Sequence, residues 1–182
     1  MPATLDIVLP AVKVPDRLIE TPAGHLIVPG WQISEKTLMI KPEQIAGLTR
    51  SAREAAARAY APYSRFHVGA AAVMADDSES RIFTGCNVEN ASYGATICAE
   101  RNAIHAAVAA GFRRIAVLAL STADSLDGPV DHRSPCGPCR QVIREFADQA
   151  TLIIIDSGAA DTIGEILDID RLLPWGFSLQ GQ

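Results

Sequence analysis

The sequence lacks any run of basic residues. Its 16 Lys and Arg are outnumbered by 21 Asp and Glu, which gives a formal net charge of −5 at pH 7. Affinity for nucleic acids rests mainly on Lys and Arg that neutralise phosphates, and binding of single strands also needs aromatic side chains on which bases stack. Aromatic residues make up only 5% of this chain. We therefore expect no nucleic-acid partner.

Long apolar segments are missing as well. No stretch approaches the roughly 20 apolar residues of a membrane-spanning helix. The first ten residues contain no Lys or Arg and end at Pro10, unlike a secretory signal peptide. We expect a soluble cytoplasmic protein with no membrane partner. In that reducing compartment, the four cysteines are more often metal ligands or redox groups than structural disulfides.

Prolines are unevenly distributed along the chain. Five of the eleven fall within the first 40 residues, between short β-branched runs at 7–9 and 26–28. This pattern favours extended segments or a hairpin over helices, and a disordered tail is the alternative. We predict that residues 1–40 form a proline-rich N-terminal arm, packed on the body or on a neighbouring subunit, and that residues 41–182 form one catalytic domain.

The remaining sequence alternates between helical and strand patterns. Ala-rich segments with apolar residues on one face indicate helices, and short β-branched segments indicate strands. This order predicts an α/β fold, a mixed sheet with helices on both faces. The predicted elements are a helix at 43–60, a hairpin at 66–75 and 80–87, a helix at 98–110, a strand at 115–121, a helix at 136–147, a strand at 152–156, and a helix or strand at 163–167.

Cysteines and one glutamate form the most specific motif. Cys98 stands two residues before Glu100, and Cys136 and Cys139 follow as a Pro-Cys-x-x-Cys segment. Three thiolates can hold one Zn²⁺ per chain and leave the fourth position to water, which the carboxylate of Glu100 would deprotonate. The alternative is a structural zinc site with a distant fourth ligand. Zinc deaminases that act on cytosine or adenine rings carry this pattern.

The N-termini of two predicted helices would stabilise the thiolate forms of these cysteines. Cys98 opens one predicted helix, and Cys136 and Cys139 lie in the first turn of another, where partial positive charge lowers thiol pKa values. Three thiolates on Zn²⁺ still leave a formal charge of −1. Arg101, on the same helix face as Cys98, is the candidate that offsets this charge, and pairing with a surface carboxylate is its alternative.

Four longer motifs resemble the homotetrameric, zinc-dependent cytidine deaminases. They are YAPYSRFHVGAA, TGCNVENASYGATICAERNAI, SPCGPCRQVIREF and LLPWGF, and the resemblance extends from about Lys41 to the C-terminus. It implies a three-layer α-β-α sandwich with a mixed five-stranded sheet and a small-molecule nucleoside substrate. Pro138 departs from the family, which more usually has Ala inside Cys-x-x-Cys. Residues 1–40 match nothing in the family.

The resemblance also implies which residues bind the nucleoside. Asn87 and Glu89 would contact the ribose 3′-hydroxyl, and their spacing places both side chains on one side of an extended segment. Ala91 would line the same pocket, Phe66 would pack on the pyrimidine, and two aromatic residues, Tyr93 and Phe177, would reach a neighbouring subunit's pocket. Turn formation by Asn87 and Glu89, and core packing by either phenylalanine, are the alternatives.

The expected activity is hydrolytic deamination of cytidine and deoxycytidine to uridine and deoxyuridine with release of ammonia, a step of pyrimidine salvage. Three alternatives remain. A deaminase of a blasticidin-type nucleoside antibiotic would not be expected to keep Glu89 for a plain ribose. Editing of nucleic acid conflicts with the negative charge. A non-catalytic zinc-stabilised scaffold would not need Glu100.

Overall fold

The computed structural model describes residues 5–40, 42–126, 128–158 and 164–179. The chain divides into two units, Met1–Ile40 and Lys41–Gln182. Within the described ranges, no helix is both long and apolar enough to cross a membrane.

Residues 5–40 form one long β-hairpin, so the hairpin alternative for this segment is confirmed. Because proline cannot donate to a strand ladder, Pro10, Pro15 and Pro29 fall between strands and divide the hairpin into three successive pairs. At its tip, the Thr21 hydroxyl donates to the carbonyl of Gly24 (2.7 Å). The antiparallel pairs are β1 (Leu5–Leu9) with β6 (Lys36–Ile40), β2 (Val12–Val14) with β5 (Trp31–Ile33), and β3 (Arg17–Thr21) with β4 (Gly24–Val28).

The second unit contains five further strands and five helices among its described residues. In chain order they are α1 (Pro42–Ala56), β7 (Val68–Met74), β8 (Phe83–Cys86), α2 (Ala99–Ala109), β9 (Ile115–Thr122), α3 (Val130–Arg133), α4 (Gly137–Phe146), β10 (Ala147–Asp156), β11 (Gly164–Leu167) and α5 (Ile169–Leu172).

These strands form one mixed sheet in the order β11-β10-β9-β7-β8. β9 and β10 are parallel, and the other neighbours are antiparallel. Gly69 on β7 approaches the backbone of α1 so closely that a Cβ would not fit. Gly85 on β8, which pairs with Ala70, meets the backbone of α2 in the same way. Since residues 69 and 70 point to opposite faces, α1 and α2 cover opposite sides, and the predicted three-layer α-β-α sandwich is confirmed.

The main core lies between the sheet and the layer of α2, α4 and α5. The buried side chains there come from strand positions that share one face and from the apolar faces of these helices. The largest are Met74, Ile104, Ile115, Leu118, Leu120, Ile143, Ile153, Ile169 and Leu172.

Most predicted boundaries differ from the structure by about one to three residues, as for the second hairpin strand, which begins at Phe83 and not at 80, and two differ by more. The first helix ends at Ala56 rather than at 60, because the N–H of Tyr60 bonds to the carbonyl of Asn87 instead of continuing the helix. β10 begins at Ala147, five residues early, where Ala147 pairs with Ile115 ahead of an irregularity in the ladder. The segment predicted as 163–167 is a strand over Gly164–Leu167, and residue 163 lies outside the described residues.

Candidate active site

Three cysteine thiols meet where two helices begin. Cys98 is the N-cap of α2 and Cys136 is the N-cap of α4, both with extended backbone, and Cys139 lies in the first turn of α4. The three Sγ atoms all lie within 4.8 Å of one another, and those of Cys98 and Cys136 are 3.9 Å apart. Pro138 sits in the first turn of α4, where its missing N–H costs no helical hydrogen bond.

This spacing fits a single zinc ion. Zn–S bonds of about 2.3 Å in a tetrahedron place two sulfurs about 3.8 Å apart, close to the 3.9 Å between the Sγ atoms of Cys98 and Cys136. A set of three thiols also leaves one corner of the tetrahedron for water. Among the described residues, these cysteines are the group of His, Cys, Asp and Glu side chains that could hold a metal.

Electrostatics within the cluster favours a thiolate at Cys98. A hydrogen bond from Cys139, with smaller effects of Cys136 and Arg101, lowers the pKa of Cys98 to about 5 against the opposing effect of burial. The same bond to Cys98 raises the pKa of Cys139. Nη2 of Arg101 lies 4.0 Å from the sulfur of Cys98 and donates to the Thr96 carbonyl at 2.8 Å. The predicted charge-offsetting residue is therefore beside the thiolate.

Glu100 lies in the first turn of α2 and is only 4% exposed. Burial, and secondarily the negative charge of Cys98, raises the pKa of Glu100 to about 7. A carboxyl group with this pKa can both accept and release a proton near neutral pH, which is the property required of a general acid and base.

A cavity of about 410 Å³ opens above these groups. Its floor includes Cys98, Cys136 and Glu100, and Leu120 and Thr122 contribute the carboxyl end of β9. Its volume falls in the range of small-molecule sites. The remaining lining residues are Ser64, Phe66, Val68, Asn87, Glu89, Thr96, His132, Arg133 and Ser134.

Asn87 and Glu89 both line this cavity, and both already have partners in the protein. The amide of Asn87 donates to the carbonyl of Phe66 and accepts from the N–H of Val68, each at 2.8 Å. Because the amide nitrogen carries two hydrogens, Asn87 can hold the backbone and still donate to a ligand. Glu89 accepts from the Ser64 hydroxyl and from the N–H groups of Tyr63 and Ser64.

The other residues expected to bind substrate are less closely grouped. Phe66 is half-buried and lines the cavity. Tyr93 is 78% exposed and lines an adjoining hollow of about 360 Å³ that shares Glu89 with the cavity. Ala91 is exposed, and Phe177 is 66% exposed, its carbonyl accepting from Gln141. Neither lines either hollow in the described part of this single chain.

Several cavity residues were not singled out by the sequence. The Ser64 hydroxyl donates to Glu89, which lies 25 residues later in the sequence, and no local sequence pattern links two residues so far apart. Thr96 precedes Cys98 on the wall that both hollows share. Arg133 resembles a surface residue by its neighbours in sequence but is 5% exposed. Ser64 lies inside one of the recognised motifs, which is the signal that could have identified it.

Thiols gathered at two helix starts beside a buried glutamate place this chain among the zinc enzymes. Comparison with known proteins names the family. Residues 42–155 match the family model described as the cytidine and deoxycytidylate deaminase zinc-binding region. The chain belongs to this family, and zinc is its metal.

Individual relatives agree with the family match. A cytidine deaminase of Sporosarcina psychrophila is 43% identical over 75% of this chain and 90% of its own length. One from Halalkalibacterium halodurans is 42% identical over 73% of this chain and 93% of its own. The crystal structure of cytidine deaminase from Burkholderia pseudomallei, 39% identical, superposes with a TM-score of 0.62 and covers 72% of this chain and 98% of its own.

Proposed function

We propose that this protein catalyses the zinc-dependent hydrolytic deamination of cytidine and deoxycytidine to uridine and deoxyuridine, with release of ammonia. The observation that carries this proposal is the buried Glu100 carboxyl group, with a pKa of about 7, beside three convergent thiols in a cavity of about 410 Å³. The activity belongs to pyrimidine salvage.

The metal-binding residues are Cys98, Cys136 and Cys139. A zinc ion held there would supply a Lewis acid, which makes water a nucleophile at neutral pH. Arg101 stabilises the thiolate of Cys98, which its guanidinium already approaches to 4.0 Å.

Glu100 moves the protons of the reaction. It takes a proton from the attacking water and delivers it to N3 of the pyrimidine, and the oxygen adds to C4. The carboxylate then takes the second proton from the hydroxyl now on C4 and passes it to the exocyclic amine, which leaves as ammonia while the C4 carbonyl of uridine forms. The sum is one nucleoside and one water converted to one uracil nucleoside and one ammonia.

The cavity walls support nucleoside binding. The half-buried ring of Phe66 would pack on the pyrimidine, and Asn87 and Glu89 would bind the ribose 3′-hydroxyl. The Ser64 hydroxyl, with backbone N–H groups of Tyr63 and Ser64, holds the pKa of Glu89 below its ordinary range. Glu89 is therefore an ionised acceptor at neutral pH, which suits a sugar hydroxyl. Ala91 would lie alongside in the same segment.

We further propose a homotetramer with shared active sites. Tyr93 and Phe177 are 78% and 66% exposed, which supports their contact with a neighbouring subunit's pocket. Residues 41–182 would form the catalytic domain, and residues 1–40 an arm that braces an interface, since apolar Leu18 and Ile27 on it are 58% and 68% exposed. The thiols must stay reduced to bind metal, which favours the cytoplasm.

Deleting residues 1–40 tests the assembly. We expect the remaining chain to keep its zinc chemistry while its melting temperature falls or the tetramer shifts to smaller species, measured by light scattering after size-exclusion chromatography. An equally stable, fully active tetramer would make the arm dispensable. A fully active monomer would contradict the shared site.

Activity itself is tested by incubating the zinc-loaded protein with cytidine, deoxycytidine, free cytosine and a blasticidin-type nucleoside, and measuring ammonia and the loss of cytosine absorbance. We expect turnover of the two nucleosides. Turnover of the antibiotic alone would favour a deaminase of blasticidin-type nucleosides. The ionised Glu89 is evidence against that alternative, because it suits a plain ribose hydroxyl. Zinc binding without turnover of any of these compounds would indicate a scaffold.

A further inference from the structure

The three metal-binding thiols belong to two separately anchored parts of the fold. Cys98 is fixed through α2, whose backbone contacts Gly85 of β8 directly and whose Asn102 donates to the carbonyl of Cys86 at 2.8 Å. Cys136 and Cys139 follow the segment between β9 and α4, which contains the short helix α3. The distance between the two groups of thiols therefore depends on what holds that segment.

Arg133, the last residue of α3, is a buried charged side chain three residues before Cys136. It is 5% exposed. Its Nη1 and Nη2 donate to the two carboxylate oxygens of Glu165 on β11, at 3.0 and 2.6 Å. Nη1 also donates to the carbonyl of Asp156 at the end of β10 (2.7 Å), and Nε to the carbonyl of Gly128 (2.8 Å). One side chain thus joins the end of α3 to the edge of the sheet.

The two-residue segment between Arg133 and Cys136 is short, and hydrogen bonds from α4 hold it as well. Ser134 has an extended backbone, and Pro135 has a restricted φ. Arg140 of α4 donates to the Pro135 carbonyl at 2.7 Å and to the Ser134 hydroxyl at 2.9 Å. These bonds hold the segment against α4, so a displacement of Arg133 would be transmitted to Cys136.

The role of Arg133 follows from its pairing. A planar guanidinium that binds a carboxylate with two parallel hydrogen bonds fixes direction as well as distance. Glu165 neutralises the guanidinium charge, and the pKa of Glu165 is lowered chiefly by its hydrogen bonds from Arg133. The arrangement therefore contributes geometry to the thiol cluster more than positive potential.

We propose that Arg133, through Glu165 and the Asp156 carbonyl, is a positioning residue that holds Cys136 and Cys139 at metal-binding distance from Cys98. This inference rests on the proposed zinc site. It assigns a role in metal affinity to an ion pair whose hydrogen bonds go to Glu165, Asp156 and Gly128 and not to the metal-binding thiols. Groups that hydrogen-bond directly to metal ligands typically change metal affinity by about 10- to 100-fold, and Arg133 acts one step further out, through the backbone that leads to Cys136.

The experiment measures metal binding directly in the full-length chain. Wild type, Arg133→Gln, Glu165→Gln and the control Arg81→Gln are stripped with a chelator and titrated with Zn²⁺ against a chelating dye, and with Co²⁺ to record its thiolate and tetrahedral absorption bands. Arg81 makes a similar fork onto the 2%-exposed Asp77 side chain, at 3.0 and 3.2 Å, in the segment between β7 and β8.

We expect Arg133→Gln and Glu165→Gln each to weaken Zn²⁺ binding by about 10-fold, the lower end of the range for direct partners of metal ligands, with altered Co²⁺ absorption bands in both. Arg81→Gln should lower thermal stability and leave zinc affinity within about twofold. Because the Glu165 side chain is 42% exposed, its variant should fold even if Arg133→Gln does not.

Two outcomes separate this inference from the proposed function. If wild type binds zinc and both the Arg133 and Glu165 variants bind it equally tightly, or if Arg81→Gln loses as much affinity as they do, the positioning role is wrong. If wild type itself binds no zinc, the proposed zinc chemistry fails, and the inference fails with it.

Discussion

Replacing Glu100 with Gln separates the proton chemistry of the site from its metal binding. The substitution keeps the size and polarity of a side chain that is 4% exposed, and it removes the group that gains and loses protons. We expect zinc content to be unchanged and kcat to fall by about 10²- to 10⁴-fold, the usual contribution of a positioned general acid and base.

The same substitution has a consequence for stability that can be worked out from the pKa. Burial raises the pKa of Glu100 from 4.5 to about 7, so the folded protein holds the proton more tightly than the unfolded chain. Ionisation therefore costs stability as pH rises through the window between 4.5 and 7. A shift of about 2.5 units corresponds to roughly 3 kcal/mol above this window and about 1 kcal/mol at pH 5. Glutamine at this position cannot ionise, so the variant does not lose this stability as pH rises.

The assay is urea unfolding of chelator-stripped wild type and Glu100→Gln at equal protein concentration from pH 5 to pH 8. Glu54→Gln, a change at an exposed position on α1, is the matched control. The advantage of Glu100→Gln over wild type should grow by about 2 kcal/mol across this range, while the control shows no such trend. A difference independent of pH would refute the raised pKa, and a Glu100→Gln protein with most of its activity would refute the proton-transfer role.

Three further substitutions test other parts of the site and fold. Cys136→Ser should lose zinc and melt at a lower temperature, because a hydroxyl is a weak zinc ligand and metal binding is coupled to folding; metal analysis and calorimetry check this. Glu89→Gln should raise KM for cytidine much more than it weakens binding of free cytosine, which inhibition assays compare; equal losses would contradict its ribose role. Asp156→Asn should cost roughly 2 kcal/mol in urea unfolding at pH 7, less than the 3–5 kcal/mol of a fully buried pair, because the Arg53 side chain that forks onto it is 46% exposed. Burial opposes ionisation of Asp156, but hydrogen bonds from Arg53 and neighbouring donors lower its pKa. The stability that the Arg53–Asp156 pair contributes is therefore present above about pH 4 and should disappear as pH falls further. A variant as stable as wild type at pH 7 would contradict the pairing.

Motifs in the sequence were enough to predict the class of fold and to single out the three cysteines whose thiols meet in the structure. The short Cys-x-x-Cys spacing by itself places Cys136 and Cys139 in one helical turn, and Gly and Pro mark the ends of elements because of their own backbone restrictions. The prolines of the arm likewise divide its hairpin into separate strand pairs, because proline lacks the N–H that a strand ladder needs. Each of these properties depends on residues a few positions apart.

Tertiary structure decided everything that depends on burial or on contacts between distant residues. The pKa of Glu100 follows from its desolvation under the sheet, and the same residue on an exposed helix would titrate near 4.5. Ser64 meets Glu89, and Arg133 meets Glu165, only because the chain folds back over 25 and 32 residues. Side-chain spacing along a helix or strand is set by local geometry, but the environment of a charge is set by every element packed around it. For that reason the sequence alone could single out the cysteines that we propose as zinc ligands, and the three-dimensional fold was needed to find the Arg133–Glu165 pair that we propose holds them in position.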